Sequence, residues 1–153
     1  MSHQPTPETV VEREIQALWN GHDRSRVDEL YSEDVVLHYP GQPPIHGREQ
    51  LTQFLGMYLS AFPDLSMRID ELIGTDGLVA CRYTQRGTHR GPLLGLEPTG
   101  ERIEISGMLF RRVENGAIAE MWVNDDSVGM LQQLDVFSRL ARPNRPAPPD
   151  SQT

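Results

Sequence analysis

Lysine is missing from this chain altogether: each of its 14 cationic side chains is an arginine, set against 22 acids for a formal charge of -8. No basic patch is left over to neutralise phosphates, which argues against nucleic acid as a partner, and the scattered arginines are expected to pair with the protein's own acids. Cysteine is nearly as scarce. With Cys81 alone, no intrachain disulfide and no cysteine-based zinc cluster can form, and a reducing cytoplasm is the expected setting. His3, His22, His38, His46 and His89 show no close ligand spacing, so no metal is expected. No apolar run approaches the roughly 18 residues of a membrane span, and no signal-peptide pattern is expected at the N-terminus.

What is present reads as one domain over residues 1–140 and a Pro-rich tail, 141–153, expected to be disordered. Thr6-Pro7-Glu8 has the chemistry of a helix start: a capping hydroxyl, a proline at the first helical position and an acid in the first turn. Val11, Ile15, Leu18 and Trp19 follow at helical spacing, with Gly21 as the stop. A short second helix is expected from Ser25 to about Tyr31, then a strand over Val35–Tyr39. Leu51, Phe54, Leu55, Tyr58, Leu59 and Phe62 form a full apolar stripe on a third helix, ended by Pro63. Strands are expected at Ser66–Ile73, Leu78–Thr88, Arg102–Val113 and Ala117–Asn124, with Asp76-Gly77 and Asn115-Gly116 as hairpin turns. A small helix over Val128–Leu134 closes the domain. The order implies an α+β fold, helices on one face of a mixed, mostly antiparallel sheet.

The last of these strands carries the chemistry. Strict alternation sends Ile118, Glu120, Trp122, Asn124 and, one step on, Asp126 to a single face. Carboxylates, an amide and an indole together suit a polar cavity with an aromatic wall better than a plain core. Asp126 also precedes the last helix, where aspartate is a favoured cap. His38, beside Tyr39 near the end of the first strand, could share proton traffic at near-neutral pH. Arg82 lies mid-strand and needs an acid, for which Glu120 is the expected partner. His89 is read as shaping the loop that leads into Pro98-Thr99-Gly100. Among the large apolar side chains, Trp122 and Met108 are assigned to the pocket wall.

Several pieces, in order, resemble one family. They are Phe62-Pro63-Asp64-Leu65, Gly87-Thr88-His89-Arg90-Gly91 with Pro98-Thr99-Gly100, Asn115-Gly116-Ala117-Ile118-Ala119-Glu120, Trp122 with an aspartate four residues on, and Leu131-Gln132-Gln133-Leu134. Together they make residues 8–135 similar to SnoaL-like polyketide cyclases of the nuclear transport factor 2-like superfamily. That resemblance implies a cone-shaped barrel in which a curved sheet and N-terminal helices enclose a pocket. It implies ring closure of a polyketide-type intermediate by an intramolecular aldol step, without cofactor or metal, and a homodimer. The family's acid/base aspartate falls on Asp126, with Asp125 as the competing candidate. His38 and Arg82 complete the expected catalytic set, and Tyr39, Trp122, Asn124, Met108, Trp19 and Glu120 the substrate-binding set. The same cone hosts other chemistry, so hydrolysis or internal opening of an epoxide, pericyclic cyclisation, and ligand binding without turnover stay open.

Overall fold

A computed structural model describes residues 4–140 of the chain; the tail expected to be disordered, 141–153, lies outside the described residues. Helix α1 (Pro7–Glu14) starts as its sequence dictates, with the Thr6 hydroxyl accepting from the Thr9 amide at 3.1 Å. It does not stop there. Residues Ile15–Asn20 continue it as a π-helical stretch, with the Gly21 amide reaching back to the Gln16 carbonyl at 2.8 Å. Widened turns of this kind are rare and recur at functional sites. A 3-10 turn at Arg24–Arg26 and the short α2 (Val27–Leu30) lead into strand β1 (Tyr31–His38). This strand begins four residues before the expected Val35. Strand β2 (Ile45–His46), unforeseen from the sequence, pairs with it. Helix α3 (Gly47–Ala61) buries Leu51, Leu55 and Leu59 of its stripe and ends just before Pro63, as predicted.

Four long strands follow: β3 (Ser66–Thr75), β4 (Leu78–Thr88), β5 (Arg102–Glu114) and β6 (Ala117–Asp125). The two hairpins turn where expected. Asp76 and Gly77 take φ of 50° and 81°, and Asn115 and Gly116 take 52° and 80°, the left-handed pairs that two-residue hairpins require. The six-stranded sheet runs β2-β1-β6-β5-β4-β3, antiparallel throughout except for the parallel β1–β6 pair. It is a curved open sheet with helices on its inner face, the cone-shaped α+β architecture of the nuclear transport factor 2-like folds. Val11, Ile15, Leu18 and Leu55 of the helices share one core with Val79, Ile105, Leu109 and Ile118 of the strands. Burying each such side chain contributes about 1.5–3 kcal/mol.

A single extra residue decides how β6 faces. Arg112 pairs with Glu120 while the next residue of β5, Val113, pairs with Ile118, so Ala119 has no opposite number. This β-bulge breaks the alternation. Ile118 points into the core, and beyond the bulge Met121, Val123 and Asp125 point inward while Glu120, Trp122 and Asn124 point outward.

Candidate active site

Beneath the helices the concave face of the sheet holds a cavity lined by aromatic and aliphatic side chains and a few polar ones. Asp125, the last residue of β6, stands at its edge. The Tyr39 hydroxyl donates to Asp125 Oδ2 at 2.8 Å and the Ser127 hydroxyl donates to Oδ1 at 2.5 Å. Both oxygens are thus oriented, and each retains a lone pair for a proton. Tyr58 of α3 places its hydroxyl 3.3 Å from that of Tyr39, a long and weak contact that is cheap to release. Phe54 packs against both rings, with centroids 5.7 Å from Tyr39 and 5.2 Å from Tyr58. Burial, reinforced by the neighbouring phenol and by Asp125, pushes the Tyr39 phenol well above its ordinary value, and burial also raises that of Tyr58. Both hydroxyls therefore keep their protons at neutral pH and act as donors.

Gly107 on β5 lies opposite both Asp125 and Tyr83. A Cβ at Gly107 would come within 2.4 Å of the Tyr83 ring carbon and hydroxyl. The missing side chain is what lets Tyr83 lie across the sheet beside the acid. Further in, Arg111 forms a buried ion pair with Glu14 of α1, Nε to Oε1 at 3.0 Å, with side-chain exposures of 3% and 0%. The Tyr31 hydroxyl donates to the same carboxylate. Burial alone would lower the Arg111 pKa, but the charge and hydrogen bond of Glu14 together with the Tyr31 and Tyr83 phenols outweigh it, so the guanidinium stays protonated. The free space is about 40 Å³, room for one or two waters.

The sequence-predicted set divides between the two faces of the sheet. Tyr39 and Trp19 line the cavity. His38, Glu120, Trp122, Asn124, Met108 and Arg82 lie on the outer face instead. The pocket expected there is corrected by the Ala119 bulge, which reverses the alternation on which it rested. The outer residues do form contacts of their own. His38 Nε2 is 2.7 Å from Glu120, its ring stacks on Trp122 with centroids 5.4 Å apart, and Arg112 lies over the same indole at 5.7 Å. Arg82 does not pair with Glu120 as expected; its Nε donates to Glu71 at 2.9 Å, with Asp70 at 3.9 Å, because the neighbour on that side is β3 and not β6. Met108 is 62% exposed and does not line the inner cavity.

Asp126 is placed as a cap. Its carboxylate accepts from the Gly129 amide at 2.9 Å at the start of α4 (Ser127–Gln133), and the side chain is exposed. Of the two neighbouring acids it is Asp125 that lines the cavity. His89 behaves as read: its Nδ1 accepts from the Thr99 amide at 3.1 Å, fastening the loop. Cys81 is free and buried, and burial pushes its thiol up to about 11, so it stays protonated. Among the described residues no group of His, Cys, Asp and Glu is arranged to hold a metal ion, and no helix is long and apolar enough to cross a membrane.

A cone with an oriented carboxylate at the edge of an otherwise mostly apolar cavity defines a class of small-molecule enzymes and binders. Within that class the SnoaL-like polyketide cyclase family matches residues 9–134, and the chain belongs to that family. IdmH of Streptomyces antibioticus, a proposed polyketide cyclase, is 31% identical over 86% of this chain and 99% of its own, with a TM-score of 0.75. AclR of Streptomyces galilaeus, a proposed hydroxylase, is 25% identical over 87% of each chain, with a TM-score of 0.74. A SnoaL-like protein of Jannaschia sp. CCS1 is 20% identical over 88% of this chain and 95% of its own, and its TM-score of 0.80 speaks for the fold. No curated protein matches the chain significantly.

Proposed function

We propose that this protein is a cofactor-independent cyclase that closes a ring on a polyketide-type intermediate of secondary metabolism, with Asp125 as its acid/base. The observation that carries the reading is the Asp125 carboxylate, held on both oxygens by hydroxyl donors at the edge of an aromatic cavity. Asp125 removes a proton from the carbon next to a substrate carbonyl. The oxygen of the resulting enolate accepts a hydrogen bond from Tyr58, whose phenol turns from Tyr39 to meet it. The enolate carbon attacks a second carbonyl of the same molecule, and the new alkoxide recovers the proton held by Asp125. Product and substrate are then isomers. Folding a flexible chain so that its two reacting carbons meet supplies much of the acceleration. The Arg111–Glu14 pair leaves the deep end polar without net charge, which suits a neutral substrate.

The test is a product profile. Linear polyketide esters and epoxide-bearing polyketides are incubated with the protein and analysed by mass spectrometry and NMR. An isomeric ring of unchanged mass is expected. A gain of water would replace the reading with epoxide hydrolysis, and ligand returned unchanged after long incubation would replace it with binding alone.

A homodimer in the cytoplasm completes the proposal. The lone buried Cys81 fits a reducing compartment. The outer face of the sheet exposes Met108 at 62% and Phe110 at 47% beside the Trp122 stack, an apolar surface of the kind subunits cover. Sedimentation velocity at micromolar concentration is expected to give twice the chain mass, and Phe110→Glu to give the monomer.

A further inference from the structure

Two polar groups in the cavity wall have no partner among the described residues. The indole N–H of Trp19, a residue only 9% exposed, is buried and meets no acceptor among the described residues. The side-chain amide of Gln85, a residue 7% exposed, makes no side-chain hydrogen bond with any described residue. Both line the cavity. A buried donor without an acceptor costs about 1–3 kcal/mol, a cost that a bound oxygen removes.

The fold places both groups in the same part of the cavity, away from the acid. Trp19 belongs to the π-helical stretch, and its neighbour Asn20 is stapled to β3: Asn20 Nδ2 donates to the Met67 carbonyl at 3.0 Å, and the Met67 amide donates to Asn20 Oδ1 at 2.6 Å. Met67 in turn pairs with Gln85 on β4. Asp125 lies two strands away, in the row that runs through Gly107 to Tyr83, and Gln85 is two residues along β4 from Tyr83. Strand spacing and rise then put the Asp125 and Gln85 backbones roughly 12 Å apart, with their side chains facing the same space.

We propose that Trp19 and Gln85 form a second oxygen subsite, one that takes a neutral carbonyl or enol oxygen of the substrate. This rests on the reading of Asp125 as the reacting end. The indole supplies a donor only, while the amide supplies both a donor and an acceptor, so a ketone or its enol is matched and an oxygen-free chain is not. Neither group is charged, and Arg111 is already neutralised by Glu14, so a carboxylate gains no counter-ion here. With one oxygen held at this subsite and another at Tyr58, the chain between them is fixed at both ends. Trp19 and Gln85 are thus positioning residues that select the oxygenation pattern.

The test reads binding rather than turnover. Acetophenone, ethylbenzene and benzoate are titrated into 15N-labelled protein, following the indole N–H resonance of Trp19, which is assigned with Trp19→Phe. Acetophenone is expected to bind about tenfold more tightly than ethylbenzene, the effect of one well-made hydrogen bond to a buried donor, and to shift the Trp19 N–H downfield. In Trp19→Phe/Gln85→Leu that preference of acetophenone over ethylbenzene disappears. Equal affinities in the wild type, no binding of acetophenone, a stationary indole resonance, or a preference for benzoate would each overturn the subsite. Ring closure in the product profile without any oxygen preference would sink this inference alone. An oxygen preference without ring closure would sink the cyclase reading and leave the subsite standing.

Discussion

Asp125→Asn is expected to lower turnover about 10²- to 10⁴-fold, the usual range for a positioned acid/base, while the protein remains folded. The amide keeps an oxygen for the Tyr39 hydroxyl to donate to, and the Ser127 hydroxyl can accept where it formerly donated. What is lost is the ability to take a proton. Asp126 supplies the matched control, because its carboxylate is bonded to the Gly129 amide and its side chain faces solvent. Asp126→Ala should leave kcat near wild type and cost about 0.5–2 kcal/mol of stability through the lost cap. Steady-state kinetics on the ring-forming substrate, paired with urea denaturation of each variant, separate the two roles. If Asp126→Ala abolished turnover at unchanged stability while Asp125→Asn did not, the base would be Asp126.

The second large effect is on stability. Glu14→Gln should cost about 3–5 kcal/mol, because it leaves the Arg111 guanidinium charged, buried and unpaired. That is a large share of the roughly 5–15 kcal/mol that holds a domain of this kind together. The Tyr31 hydroxyl is affected as well, since it donates to the same carboxylate. The double replacement Glu14→Leu/Arg111→Met removes both charges together and should recover most or all of the loss. Urea midpoints for Glu14→Leu, Arg111→Met and the double variant form the cycle that measures the coupling. A Glu14→Gln midpoint indistinguishable from wild type would mean that the charge of Glu14 is not what compensates Arg111.

The fold was largely legible in the chain and the site only in part, for reasons that can be assigned to residues. Long periodic stripes, hairpin dipeptides and the Thr6-Pro7 cap are local signals, and the helices and long strands arose where they pointed. The two-residue β2 carries no such signal, and β1 begins at Tyr31 with a pairing to β6 that is irregular up to Val36. The lining of the site depends on parity, which one bulge at Ala119 reverses, so Trp122 and Asn124 were assigned to the wrong face along with their neighbours. Arg111 and Glu14 could have been found. Arg111 continues the inward series Ile105, Gly107, Leu109, and Glu14 sits within the apolar stripe of Val11, Ile15 and Leu18. A charged residue at a core position on each of two elements is a readable sign of a buried pair. The place of Gln85 in the cavity wall and the long contact between the Tyr58 and Tyr39 hydroxyls depend on tertiary packing and left no trace in the sequence.

The Ala119 bulge also sets which changes in length the gene could accept. Loss of Ala119 itself would restore ordinary pairing and leave Met121, Val123 and Asp125 facing inward. Loss of one residue between Met121 and Asn124 would instead turn the end of the strand over, carrying Asp125 to the solvent side and Asp126 toward the cavity. Two adjacent aspartates mean that such a slip would still deliver a carboxylate to the reaction space, on a scaffold whose other lining had changed. A scaffold of this kind can exchange one inner surface for another in a single deletion without giving up its acid.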